Sequence, residues 1–171
     1  MKNSLRTIWR YGVELVDEIL KHPKFQRYLE QNSEEEVHRK LCHHDLQHAL
    51  DVARVAYIIS MEKGLNVNKE IIYVTALLHD IAKWKQYQEK VDHASEGANL
   101  AEEILRDIGV EKLEAESILE AIRSHRLKVK QSSVLSELLY DGDKACRLCI
   151  NCKGIKECNR FQKGEQPVLK Y

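Results

Sequence analysis

The sequence has little of what marks sheet proteins, secretion or a general nucleic-acid binder. Its 171 residues include two prolines, seven glycines, two phenylalanines and two tryptophans. Pro23 and Pro167 both lie outside the periodic apolar segments, so nothing interrupts helices there. The glycines stand singly, which excludes a G-x-G-x-x-G dinucleotide turn, a P-loop and a G-x-S-x-G nucleophile elbow. Phosphate, if it is handled here, falls to a metal ion and to side-chain cations. Neither sign of charge prevails: Lys plus Arg and Asp plus Glu each number 27, so no basic field announces general nucleic-acid binding. The longest apolar stretch, residues 71–78, is far too short to span a bilayer and runs straight into His79 and Asp80. The opening MKNSLRTIWRYGVELV lacks the apolar core and small-residue cleavage site of a secretory signal. These absences predict a cytosolic (cytoplasmic) protein with a small-molecule substrate and no membrane partner.

What is present is helical. A hydrophobic fraction of 43% and a charged fraction of 32% suit one folded domain. Apolar positions recur at helical spacing, and no segment alternates as a half-buried strand would. The expected class is all-α. Ser33 and Glu36 have the spacing of a capping box, predicting a helix from about residue 33 toward Cys42, with a break near His43 and His44. Asp45 is the expected N-cap of the next helix, which places His48 in its first turn and ends before Gly64. Asn68 opens a helix that is apolar all round and therefore buried on all sides, ending at His79-Asp80. Further helices are expected over about 95–108, 111–124 and 133–148, with Gly109 closing the first of them.

Eight histidines are the main chemical asset. His79 and Asp80, adjacent at the end of a buried helix, would be costly there unless a charge such as a metal ion compensates them; each taken alone fits a satisfied core residue equally well. With His48 and with Asp143, which follows the small Gly142, they form a set of two imidazoles and two carboxylates. That mixture suits manganese, iron, cobalt, nickel or zinc and leaves positions for water and substrate. Lys83, four residues after His79, shares its face if the helix persists and could meet a phosphate at the metal. Arg39, Arg126 and Lys144 are weaker candidates of the same kind.

The segments HHDLQHALDVARVAYII (43–59), LLHDIAK (77–83), DHASEGANLAEEIL (92–105), AIRSHR (121–126) and LLYDGDKACRLC (138–149) resemble, in order, the motifs of the HD-domain superfamily of metal-dependent phosphohydrolases. The resemblance covers residues 40–149. It implies an HD-type helical bundle over residues 1–150, followed by a Cys-rich segment at 146–171. It also implies that one or two divalent ions bind, with His48, His79, Asp80 and Asp143 as ligands. Asp141 competes with Asp143, but the superfamily's last motif ends in Asp followed by a basic residue, which Asp143-Lys144 matches. His93 and His125 stand where similar two-metal proteins bind a second ion with the HD aspartate bridging; the short gap from Asp80 to His93 equally allows a one-metal enzyme in which both only line the pocket.

Four of the five cysteines, Cys146, Cys149, Cys152 and Cys158, crowd into 13 residues as C-x2-C-x2-C-x5-C. In a reducing compartment a disulfide framework is not expected, leaving Zn²⁺, an iron–sulfur cluster or unligated thiols. Some small bacterial HD proteins have a similar C-x2-C-x5-C tail, to which Cys146 is additional. Cys42, in an apolar context, is expected simply to pack.

The expected activity is hydrolysis of a nucleotide or other small phosphate ester by metal-activated water, with Asp80 or a neighbouring His taking the proton and Lys83 offsetting phosphoryl charge. Two alternatives stand beside it. The set of four His and two Asp also resembles that of the di-iron oxygenases of the superfamily, and a non-catalytic metal- or redox-sensing module would centre on the cysteines.

Overall fold

The computed structural model describes residues 14–127, 133–161 and 165–171. Most of the N-terminal segment read above for a secretory signal lies outside them. The described chain has eight α-helices and no strand: α1 (Glu14–Lys21), α2 (Pro23–Glu36), α3 (Leu46–Glu62), α4 (Lys69–Leu78), α5 (Lys83–Glu89), α6 (His93–Asp107), α7 (Lys112–Ser124) and α8 (Val134–Ala145). Two single 3-10 turns, at Cys149–Asn151 and Ile155–Glu157, follow α8. The all-α expectation holds, and no described helix is long and apolar enough to cross a membrane.

The core is one contiguous cluster built around α4. Seven of its ten residues, Ile71, Ile72, Val74, Thr75, Ala76, Leu77 and Leu78, are buried. It packs against α1, α3, α6, α7 and α8, as its all-round apolar pattern demands. Each fully buried Ile or Leu contributes about 1.5–3 kcal/mol relative to leaving it in water. Polar groups at the end of α4 are therefore carried into the middle of the molecule.

Caps fix the other elements. Asp45 accepts from the His48 N–H at 2.8 Å, Asn68 from Glu70 and Asp92 from Ser95, each cap being worth about 1 kcal/mol. Helices α3 and α6 end as expected, just before Gly64 and Gly109, both at positive φ. Helices α3 and α8 approach so closely at Gly142 that a Cβ there would lie 2.9 Å from the Val52 carbonyl and from the Ala56 methyl.

Two expectations fail. No helix starts at Ser33: α2 already runs from Pro23, with His22 as N-cap, and ends at Glu36. Pro at the first helical position outweighs the capping-box pattern ten residues later, and the Glu36 carboxylate is drawn away to accept from the His44 N–H at 2.7 Å and the Tyr87 hydroxyl at 2.6 Å. Nor does the α4 helix persist to Lys83. Residues 79–82 form a turn, and α5, not anticipated from periodicity, begins at Lys83.

Candidate metal centre

The turn after α4 is held by Asn32 of α2. Its buried amide donates to the Asp80 carbonyl at 3.0 Å, and its carbonyl oxygen accepts from the Trp84 N–H at 2.8 Å. This clamp bends the chain so that the side chains of His79 and Asp80 face inward together. His48, from the first turn of α3, and Asp143, from the last turn of α8, meet them there.

The geometry centres on the Asp80 carboxylate. Its Oδ2 lies 2.9 Å from His79 Nε2 and 3.8 Å from His48 Nε2, while its Oδ1 lies 3.0 Å from His93 Nε2 and 3.6 Å from His125 Nε2. Asp143 Oδ1 is 3.3 Å from His48 Nε2. The donor atoms of His48, His79, Asp80 and Asp143 all lie within 4.8 Å of one another, and so do those of Asp80, His93 and His125. All six residues are buried. The structure thus brings together every histidine and aspartate expected at the site. Asp141 is elsewhere, at the surface, 3.1 Å from Lys63.

Two of the histidines are presented as metal-binding imidazoles commonly are, with Nδ1 tied to a backbone carbonyl. His79 Nδ1 is bonded to the Ala76 carbonyl at 2.7 Å and His125 Nδ1 to the Ile122 carbonyl at 2.6 Å, turning each Nε2 toward Asp80. His79 Nε2 and Asp80 Oδ1 are buried with no aligned hydrogen-bond partner. Their short contacts to neighbours have ion-pair distances without hydrogen-bond direction. A cation placed among these crowded, buried imidazole and carboxylate donors would give their lone pairs a common partner. The donor set therefore fits a divalent ion.

Burial and neighbours set the charges. Burial works against ionised Asp80, yet His79 and His44 hold it well below the ordinary carboxylate range. Asp143 is likewise penalised by burial and held well below that range by His48, Lys144 and then His79. Burial pushes His48 down and His93 down to about 4, which favours the neutral imidazole that a metal ion needs. Burial also lowers Lys83. Its Nζ lies 3.4 Å from His93 Nδ1, so Lys83 reaches the site from the start of α5 rather than from a continued α4.

Several contributors were not read from the sequence. Arg147, one helical turn after Asp143, places its guanidinium 2.9 Å from His48 Nε2 and 3.4 Å from Asp143 Oδ1. Glu36 and Tyr87 brace His44 behind Asp80. The i, i+4 spacing of Asn32 and Glu36 on α2 is the one signal that could have shown two buried polar residues on a single face. The cysteines also divide differently. Cys146, the C-cap of α8 three residues after Asp143, turns inward with its Sγ 3.7 Å from His48 Nδ1, whereas Cys149, Cys152 and Cys158 line, with Cys42, a cavity that also reaches Asp143.

The HD domain model matches residues 45–160, which include all six His and Asp residues of the centre. An uncharacterized protein of Clostridium beijerinckii is 44% identical over 141 residues, covering 82% of this chain and 88% of its own. Ribonuclease Y of Acetivibrio thermocellus is 34% identical over 98 residues, 57% of this chain, and the match spans only 17% of that ribonuclease. Among solved structures, the crystal structure of a predicted HD superfamily hydrolase from an uncultured Thermotogales bacterium aligns with a TM-score of 0.55 at 25% identity, over 87% of this chain and 72% of that one. A family model spanning well over half the residues, on a fold shared with that hydrolase, settles the assignment: the chain belongs to the HD-domain family.

Proposed function

We propose that this protein is a metal-dependent phosphohydrolase acting on a nucleotide or other small phosphate ester. The observation that carries the reading is the buried Asp80 carboxylate set among four imidazole nitrogens, with the Asp143 carboxylate beside His48. His48, His79, Asp80 and Asp143 would hold the ion. A divalent ion there supplies a water of pKa near about 7 and polarises a phosphoryl oxygen. The residues around it supply the rest. Lys144 and Arg147 lie against Asp143, cations suited to meet a phosphate held at the ion. Lys83 stands beside His93 to offset charge growing on phosphoryl oxygens. Asp80, with His93 at 3.0 Å from its Oδ1, is placed to take and pass on a proton. Likeness to one segment of Ribonuclease Y puts RNA phosphodiesters among the substrates to try.

The test is metal analysis of the purified protein, followed by release of phosphate from a panel of nucleotides, dinucleotides, short RNA and aryl phosphates before and after chelation and metal return. Metal-dependent turnover of one class is the expected result; a fully metal-loaded protein inert toward all of them overturns the reading. The division of the Asp80 oxygens between His48/His79 and His93/His125 favours one rival, a di-iron oxygenase. Two irons per chain with oxygen consumption and no phosphate release would select it.

A further inference from the structure

We propose that Cys42, Cys149, Cys152 and Cys158 bind an iron–sulfur cluster, and that Cys146 is not among its ligands. All five thiols are free and half-buried. The four named ones line one cavity of about 890 Å³; Cys146 does not, although it borders a smaller pocket with Cys42, Cys149 and His48. The Cys146 Sγ instead lies 3.6 Å from the Asp143 carbonyl oxygen and 3.7 Å from His48 Nδ1, committed to the His/Asp centre by its place on α8.

Cys42 comes from the loop before α3, more than a hundred residues from the others in sequence, and the two loops are tied together by contacts that involve no sulfur. At Gly154 the C-terminal segment presses on the loop so closely that a Cβ would sit 2.9 Å from the Lys40 carbonyl and from a Leu41 methyl. Lys40 Nζ lies 3.8 Å from Glu157, and Arg147 donates to the His43 carbonyl at 3.4 Å. Arg39 Nε, in turn, donates to the Cys42 carbonyl at 2.9 Å. The four-cysteine arrangement is therefore a product of the fold and not of spacing along the chain.

Sulfur spacing separates the two obvious occupants. A tetrahedral Zn²⁺ with bonds of about 2.3 Å holds its sulfurs about 3.8 Å apart. Among the described residues no three cysteine sulfurs come within 4.8 Å of one another, although the His and Asp donors of the same chain do. The cavity of about 890 Å³ that the four thiols share has room for a multinuclear iron–sulfide core. Such a core carries negative charge. Arg160 answers it, with a guanidinium nitrogen 3.6 Å from Cys149 Sγ, and Arg147 and Lys144 line the same cavity. Burial raises the Cys149 thiol, Arg160 opposes this, and Cys42, Cys158 and Cys152 raise it further.

The test is anaerobic purification of the full chain, with reconstitution by ferrous iron and sulfide, and assay of iron, acid-labile sulfide, zinc and visible absorption. Iron and sulfide in matched amounts are expected. At least a tenfold loss of sulfide is expected in Cys42→Ser and in Cys158→Ser, with none in Cys146→Ser or in His79→Ala. Should Cys42→Ser fail to fold, alkylation of the wild-type protein before and after cluster removal decides, because Cys42, Cys149, Cys152 and Cys158 should become reactive together. Zinc without sulfide, sulfide retained in folded Cys42→Ser, sulfide lost in Cys146→Ser, or an alkylation set with Cys146 in place of Cys42 would each overturn the proposal. None of these outcomes depends on phosphatase activity, so the cluster and the proposed reaction stand or fall separately.

Discussion

The His/Asp centre and the cysteine cavity lie side by side and are built in opposite ways. The first takes its donors from the ends of α3, α4, α7 and α8 and the start of α6, all buried, each held by caps and carbonyl bonds that exist without any ion. The second takes its donors from a loop and two isolated 3-10 turns, all partly exposed. Secondary structure pre-organises the one. The other is positioned mainly by contact between loops, so a bound cluster would add more to its rigidity.

Removing a donor from the helical centre should give the largest effect. His79→Ala and Asp80→Ala are each expected to abolish metal binding there and lower turnover by more than about 100-fold, beyond what loss of an outer partner costs. Metal analysis with steady-state assays checks this, and normal metal content with normal turnover in either variant would break the contrast. Next comes the pair Asp143→Asn and Asp141→Asn. Asp143 sits among the donors, whereas Asp141 makes an exposed pair with Lys63 worth under about 1 kcal/mol, so the first should be crippling and the second nearly silent.

The two tightly approached glycines sharpen the comparison in terms of stability. Gly142→Ala drives a methyl against backbone between two core helices and should cost about 1–3 kcal/mol in denaturant melts. Gly154→Ala meets an equally close carbonyl at Lys40, but in loops that can shift, so its cost in the same melts should be smaller, accompanied by loss of iron and sulfide from the cavity. Equal losses of stability would mean the loops are as rigid as the helices.

The smallest effect is one of pH. Burial works to raise the Glu36 carboxyl, but the His44 ring and N–H and the Tyr87 hydroxyl bring it to about 2 from an ordinary 4.5. The folded value being the lower, its stabilisation is complete above pH 4.5 and is lost as pH falls toward 2. The stability gap between wild type and Glu36→Gln should therefore be flat near neutrality and close over that acid window.

The same contrast explains what could be read from the sequence. His48, His79 and Asp80 were legible because helix periodicity and caps place them: Asp45 fixes His48, and the all-apolar α4 forces His79 and Asp80 inward, whereas His93 and His125 were read only from the family resemblance. The Asp143 side chain followed from the resemblance and the basic residue after it. Glu36 was misread, because a capping box and a buried carboxylate serving a distant histidine look alike in one dimension. Cys42 and Arg147 were missed for a related reason. Their roles come from loops meeting across the fold, and no local pattern records which loops will meet.

Those meeting loops also carry a consequence for the order in which the molecule assembles. The Arg147–His43 bond joins residues 104 apart, with α3 through α8 lying between them. Such a closure loses chain entropy that local contacts do not, and it gains little until the intervening helices have already brought its ends together. The C-terminal clasp should therefore shut last, so that a nascent chain has its histidines and aspartates gathered before its final cysteines arrive.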